Sequence, residues 1–245
     1  MELLRARHPK DPVLDAAITH ALLQQVASGE KPPTARIFRP GPTMAFGRLD
    51  ALDQGRYTSA LAAARAHGYT PILRLGGGHA AGYDEGSVLI ELIRPNTTIA
   101  EGIPERFASM TSLLMESLST LGITARTGEL PGEYCAGDWS VNAAGVKLAG
   151  TAQRSIRGAS LVTAMLIVEN GTALRTALTD IYDSLSIPWR PSTAAAARDI
   201  IPSLTTADAE RILVSTLAAH ERLTATTLSD STLLLAEQLR SAHAA

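Results

Sequence analysis

Interpretation of this chain begins with two neighbouring stretches, Gly132-Glu133-Tyr134-Cys135-Ala136-Gly137-Asp138 and Gly145-Val146-Lys147-Leu148-Ala149-Gly150-Thr151-Ala152-Gln153-Arg154. They contain the only cysteine of the 245-residue chain and one of its few lysines. The second stretch and Ser140–Asn142 flank a small-residue turn, a pattern that predicts a β-hairpin with Lys147 near the start of its second strand. The cysteine lies among glycines and acids, so the first stretch is predicted to be a loop.

The loop position makes Cys135 a candidate nucleophile. A cysteine retained for packing is usually surrounded by apolar residues, because it behaves as a small apolar side chain. A cation near a loop thiol favours the reactive thiolate, and Lys147 is placed to supply that charge or to neutralise an oxyanion on a thioester carbonyl. Asp138 either orients Lys147 or caps a turn. A half-exposed, unreactive cysteine beside a solvated lysine remains the alternative at this stage.

A glycine-rich loop, Arg74-Leu75-Gly76-Gly77-Gly78-His79-Ala80-Ala81-Gly82-Tyr83-Asp84, is the second candidate site. Gly76-x-Gly78-x-x-Ala81 formally satisfies a relaxed dinucleotide fingerprint, but a strand follows where that motif needs a helix, so we exclude nucleotide binding of this type. Three glycines let backbone amides approach a ligand, and Arg74 is suited to holding a carboxylate or phosphate. A turn that serves only the chain path, with His79 satisfied by the backbone, is the alternative.

The rest of the chain predicts an α+β (mixed α/β) fold, with a central mixed sheet flanked by helices. Apolar periodicity predicts helices over 11–27, 52–67, 101–122, 209–223 and 233–242. Strands are predicted over 36–39, 43–48, 87–93, 140–142, 146–152 and 159–168, the last buried on both faces, whereas 184–191 is predicted to be irregular. We therefore expect a domain over 1–190 and a short helical extension over 191–245 packed on it.

Composition excludes several classes of protein. A net charge of −2 gives no basic surface for nucleic acid. No apolar run approaches the length of a membrane span and no signal peptide is recognisable, so we expect a soluble, cytoplasmic protein. One cysteine cannot form an intramolecular disulfide, and no cysteine–histidine cluster has the spacing of a metal site.

Taken together, the segments resemble the superfamily of lipoate–protein ligases, octanoyltransferases and biotin ligases. The loop from Arg74 to Asp84 is similar to that family's glycine-rich acyl-binding loop, and Lys147-Leu148-Ala149-Gly150-Thr151-Ala152-Gln153-Arg154 to its lysine motif. The stretch 132–138 most resembles the loop of the cysteine-dependent octanoyl (lipoyl) amidotransferases. Gly76, His79 and Tyr83 depart from the family's usual residues, which bears on the choice of acyl chain.

The resemblance implies an acyltransferase that carries an octanoyl or lipoyl group as a thioester on Cys135, with Lys147 orienting the carbonyl. The implied acceptors are lipoyl-domain proteins, such as glycine cleavage H protein or the E2 of 2-oxoacid dehydrogenases, with acyl carrier protein as a further partner and no cofactor. An ATP- and Mg²⁺-dependent ligase that makes an acyl-adenylate is the first alternative, and a non-catalytic lipoate- or lipoyl-domain-binding protein is the second. The implied substrate-binding residues are Arg74, Gly76, Gly77, Gly78, His79, Tyr83, Asp84, Asp138, Gly150, Thr151 and Ala152.

Overall fold

A computed structural model describes all residues, 1–245, and confirms the predicted mixed α/β class. The strands are β1 (Glu2–Leu4), β2 (Thr34–Phe38), β3 (Thr43–Phe46), β4 (Thr70–Leu73), β5 (Ala81–Tyr83), β6 (Ser87–Pro95), β7 (Arg126–Thr127), β8 (Val141–Ala143), β9 (Val146–Ile156), β10 (Ala159–Ile167) and β11 (Thr224–Thr226). The helices are α1 (Pro12–Ala27), α2 (Gln54–Ala66), α3 (Ile103–Thr120), α4 (Gly171–Leu185), α5 (Thr206–His220) and α6 (Asp230–Leu239).

Eight strands form the main sheet, in the order β11-β1-β2-β6-β10-β9-β8-β7. β1 runs parallel to β2 and β11, and every other pair is antiparallel, so the sheet is mixed as predicted. The predicted β8–β9 hairpin is confirmed. Ala144 and Gly145 form its two-residue turn, and both have positive φ, the conformation that matches the twist of the flanking strands.

The main sheet is buried on both faces, and side chains alternate between two different environments. Val162 and Leu166 of β10 join the core beneath α3 and α5. Met165 of the same strand faces the other way, toward a second core formed with β3, α2 and α4. The prediction that this strand is buried on both faces is therefore confirmed, because a layer packs on each side.

A second, three-stranded sheet in the order β4-β3-β5 lies on that other face. α1 packs on the same face further along and contacts α6, β6 and β10. Its predicted start is correct, since the Asp11 side chain accepts a hydrogen bond from the amide of Leu14 and Pro12 occupies the first turn. The small sheet, α1 and the centre of the main sheet thus surround one space, which contains the candidate site.

Two elements differ from the prediction. α4 was not anticipated, although Leu174, Ala177, Leu178 and Ile181 give it an apolar face at helical spacing. The segment 191–245 is not purely helical, because β11 extends the main sheet beside β1. The proposed boundary at residue 190 stays a prediction. None of the helices is both long enough and apolar enough to cross a bilayer.

Candidate active site

A cavity of about 380 Å³ lies between the main sheet, the small sheet and α1. Leu89, Glu91, Thr163 and Met165 form its floor, from the face of β6 and β10 that points away from α3. The other walls come mainly from α1, the glycine-rich loop, the Cys135 loop and β9, with single residues from β2, α3 and the C-terminal segment. They include Asp15, Thr19, Phe38, Arg74, Gly76, Gly77, Gly78, Tyr83, Phe107, Tyr134, Cys135, Asp138, Trp139, Lys147, Gly150, Thr151, Ala152 and His243.

Cys135 is held in the cavity wall by contacts on both its backbone and its side chain. Its amide donates to the hydroxyl of Tyr182 at 2.7 Å, and that hydroxyl donates to the carbonyl of Ala80 at 2.9 Å. Its φ of 43° lies in the left-handed region, which costs energy for a residue with a side chain. Its Sγ accepts a hydrogen bond from Nη2 of Arg74 at 3.2 Å. The fold therefore fixes the thiol against a guanidinium.

Electrostatics favour the thiolate. Burial alone would raise the pKa of the Cys135 thiol, because it disfavours the charged form. The positive charges of Arg74 and Lys147, the Arg74 hydrogen bond and a hydrogen bond from the backbone of His79 outweigh that effect, so the pKa lies below its ordinary value. A partly buried thiol beside two cations, with a depressed pKa, is the setting of a nucleophile rather than of a packing residue.

Lys147 lies beside the thiol, but its ammonium is fully occupied. Nζ donates to Oε1 of Glu133 at 3.0 Å, to the carbonyl of Tyr134 at 3.0 Å and to the carbonyl of Cys135 at 2.9 Å. The Lys147 side chain is 1% exposed and that of Glu133 is fully buried. Lys147 therefore contributes charge and holds the loop. The expected contact with a substrate carbonyl would require it to leave one of these acceptors, and stays a prediction.

The glycine-rich loop passes directly beneath the thiol. Gly78 has φ of +92°, and a Cβ built there would lie 2.7 Å from Sγ of Cys135 and 2.6 Å from Nη2 of Arg74. A Cβ on Gly76 would lie 2.8 Å from Cβ of Ala152, whereas one on Gly77 would meet nothing within 4 Å. Two of the three glycines are thus required by close contact with the protein's own side chains, and contact of the loop with a ligand stays a prediction.

His79 is in the same cluster, but its ring is directed elsewhere. Its carbonyl accepts from Nη2 of Arg74 at 2.7 Å, while its Nδ1 lies 2.7 Å from Oδ1 of Asp50. The second oxygen of Asp50 accepts from the amide of Gly47 at 2.9 Å. The His79 ring is 38% exposed and does not line the cavity. The backbone of His79 is satisfied, as the alternative interpretation expected, and a carboxylate holds its ring.

The other predicted residues divide into two groups. Tyr83, Asp138, Gly150, Thr151 and Ala152 line the cavity together with Arg74 and the glycines. Asp138 is exposed and makes no ion pair with Lys147, so the predicted orienting role goes to Glu133. Asp84 lies outside the cavity, where its carboxylate accepts from the amide of Gly86 and from Nδ2 of Asn170. This arrangement stabilises the turn between β5 and β6, and the predicted substrate contact of Asp84 stays a prediction.

Three important residues escaped the sequence analysis. No role was predicted for Glu133, although it lies in the Cys135 loop and a lysine buried in a strand requires a counter-charge. Tyr182 lies on α4, the helix that was not anticipated, and Asp50 lies in a short 3₁₀ turn after β3. Glu133 could have been found by asking what neutralises Lys147. No sequence signal connects Asp50 with His79 or Tyr182 with Cys135.

Comparison with known proteins gives one family. The family model described as "Lipoyl protein ligase A/B catalytic domain" matches residues 11–218. A relative from Geobacillus kaustophilus, named octanoyl-[GcvH]:protein N-octanoyltransferase, is 29% identical over 201 residues, which cover 79% of this chain and 69% of the relative. Two further relatives of the same name are covered over 57% and 58% of their own length.

Solved structures support the fold. The crystal structure of a lipoate-protein ligase A bound with ATP superposes with a TM-score of 0.78 at 20% identity, covering 98% of this chain and 94% of that one. A bi-partite lipoate protein ligase from Thermoplasma acidophilum, described together with its E2 lipoyl domain, gives a TM-score of 0.72 at 18% identity. The superposition covers 98% of this chain and 91% of that one. At these identities the likeness concerns the fold alone.

Proposed function

The chain belongs to the lipoyl protein ligase A/B catalytic domain family, and from that membership we propose that it is an acyltransferase that moves an octanoyl or lipoyl group onto the lysine of a lipoyl-domain protein through a thioester on Cys135. The relatives named octanoyltransferases support the type of reaction. The observation that carries the thioester is the Cys135 thiol, which is held by Arg74 at the wall of a cavity large enough for a medium acyl chain.

The first step is acyl transfer to the enzyme. The thiolate attacks the carbonyl carbon of the acylated donor and a C–S bond forms. The bond between that carbon and the donor's leaving group breaks, and a leaving amine takes its proton from water. Negative charge that develops on the carbonyl oxygen needs a donor in the site. Nε of Arg74 is buried and has no hydrogen-bond partner, so its N–H remains available for that oxygen. Lys147 and Arg74 together offset the charge of the free thiolate.

The second step is transfer to the acceptor lysine. Its amine attacks the thioester carbonyl, an amide C–N bond forms, and the C–S bond breaks to return the thiolate. Splitting the reaction into two acyl transfers at one thiol requires no cofactor. As acceptors we propose glycine cleavage H protein or an E2 lipoyl domain. Acyl carrier protein as donor, a cytoplasmic location and a catalytic domain over 1–190 stay predictions.

A transfer assay tests this proposal. Octanoyl-H protein is mixed with an unmodified E2 lipoyl domain, and acylation of the E2 domain is followed by mass spectrometry. We expect transfer by the wild-type chain without ATP and complete loss in Cys135→Ala, because only the thiol can carry the acyl group. Full transfer by Cys135→Ala would refute the thioester.

A second arm of the assay separates the ligase reading. Free octanoate or lipoate with ATP and Mg²⁺ replaces the acylated donor, and Cys135→Ala is again compared with the wild type. Modification of the E2 domain only under these conditions, and equally in both proteins, would identify a ligase. Binding of the E2 domain with no transfer in either arm would leave a non-catalytic binding protein.

A further inference from the structure

The acceptor lysine arrives as an ammonium, and the proposed chemistry requires a base for it. A lysine side chain is protonated at neutral pH, and it must lose two protons before a neutral amide is formed. Lys147 cannot take them in its observed position, because it is itself charged, is 1% exposed and donates to three acceptors. Arg74 stays protonated in proteins. The base must therefore be a group other than these two cations.

The loop that carries Gly78 offers one candidate group. His79 follows Gly78 directly, and its backbone binds both Arg74 and the thiol. Its Nδ1 is held by Asp50, whose side chain is fully buried and whose other oxygen is fixed by the amide of Gly47. A carboxylate at Nδ1 selects the tautomer with its proton on that nitrogen, which leaves the lone pair on Nε2. The ring is partly exposed and does not line the acyl cavity, so a lysine carried by another protein can reach it from solvent.

We propose that His79, oriented by Asp50, is the general base that deprotonates the acceptor lysine during aminolysis of the Cys135 thioester. Nε2 takes one proton from the ammonium and passes it to water, and the free amine then attacks the carbonyl. As the C–S bond breaks, Nε2 takes the second proton from the attacking nitrogen and the thiolate returns to Arg74. The arrangement of nucleophile, base and orienting carboxylate resembles other acyl-transfer sites in its roles. This inference rests on the proposed thioester.

The test separates the two half-reactions. The chain is acylated in parallel with octanoyl-H protein and with octanoyl-acyl carrier protein, a thioester whose leaving thiolate needs no proton, and intact mass reports the thioester on the chain. The purified acyl-enzyme is then mixed with an E2 lipoyl domain, and its deacylation is followed in a single turnover across pH 6 to 9. We expect His79→Gln to be acylated by the thioester donor at the wild-type rate but to be deacylated about 10²-fold more slowly at neutral pH. Acylation of His79→Gln by octanoyl-H protein should also be slow, because that step is the reverse of aminolysis and its leaving lysine needs the proton from Nε2. The deacylation rate of His79→Gln should rise steadily with pH where that of the wild type levels off, because water and hydroxide are then the only bases.

Three further variants make the result specific. Asp50→Asn should slow deacylation as well, because an amide N–H facing Nδ1 favours the other tautomer. Imidazole in the buffer should restore part of the rate in His79→Ala, which a purely structural role would not allow. His67→Gln is the matched control. His67 pairs at 2.6 Å with Asp180, which is distant in sequence from the glycine-rich loop, and the substitution should leave both half-reactions unchanged.

Wild-type deacylation by His79→Gln would overturn the inference, and so would an equal loss in acylation by the thioester donor without rescue by imidazole. A wild-type chain that never forms the thioester would instead overturn the proposed function, and the inference with it. The two failures are distinguished by the mass of the protein before any acceptor is added.

Discussion

Two cations lie beside the thiol, one from each sheet, and they are used in opposite ways. Lys147, from β9 of the main sheet, donates all three of its N–H groups to the loop that contains Cys135. Arg74, directly after β4 of the small sheet, donates to Sγ itself and leaves Nε without a partner. A satisfied cation fixes structure, whereas one with a spare donor can respond to charge that develops during a reaction. Lys147 therefore builds the site, and Arg74 acts in it.

The largest effect is expected at Lys147, on stability. Lys147→Met leaves the carboxylate of Glu133 buried without its partner, and removing one member of a buried ion pair typically costs about 3–5 kcal/mol. We expect that loss in the free energy of unfolding, measured by urea denaturation. The double variant Lys147→Met/Glu133→Gln should recover much of it, because no charge is then left unpaired. A single variant as stable as the wild type would contradict the building role of Lys147.

The next largest effect is expected at Gly78, where the glycine-rich loop packs against Cys135 and Arg74. Gly78→Ala places a methyl group within 3 Å of both Sγ and Arg74, at a φ that residues with a side chain adopt at a cost. We expect a loss of about 1–3 kcal/mol in stability and slow acylation of Cys135. The control is Gly77→Ala, where a Cβ meets nothing within 4 Å. Equal behaviour of the two variants would mean that the loop is not packed against the thiol.

A smaller effect, confined to reactivity, is expected at Arg74. Arg74→Gln removes the first of the two positive charges that lower the pKa of the Cys135 thiol, so that pKa should rise. Alkylation by iodoacetamide at neutral pH should slow by roughly an order of magnitude, and the pH at which the rate reaches its half-maximum should move upward. Arg74→Lys keeps the positive charge and should shift that half-maximal pH less. An unchanged alkylation profile in Arg74→Gln would mean that Lys147, and not Arg74, activates the thiol.

The contrast between Lys147 and Arg74 also shows how much of the site could be predicted from the sequence. The β8–β9 hairpin was predictable because Ala144-Gly145 is a two-residue turn between strand-like runs, and Gly78 stood out because consecutive glycines are costly unless something passes close to them. The partners were not predictable. Glu133 and Asp138 are both acids within the same loop, and only the path of that loop decides that Glu133 is buried against Lys147 while Asp138 is exposed.

Contacts distant in sequence were harder still. Tyr182 reaches Cys135 from α4 across 47 residues, and Asp50 reaches His79 across 29. Neither pair has a spacing that local periodicity could reveal. The first depends on where α4 packs, and the second on the pairing of β3 with β5 in the small sheet. The resemblance of the glycine loop and the lysine motif to a known family supplied the site in outline, and the structure supplied its internal connections.

The Cys135 thioester is tested most directly by the intact mass of the chain after it has been mixed with octanoyl-H protein and no acceptor. We expect an increase of about 126 Da, the octanoyl increment from its atomic composition, located on Cys135 by peptide mapping and removed by neutral hydroxylamine. No increase in the wild type, or an equal increase in Cys135→Ala, would contradict it.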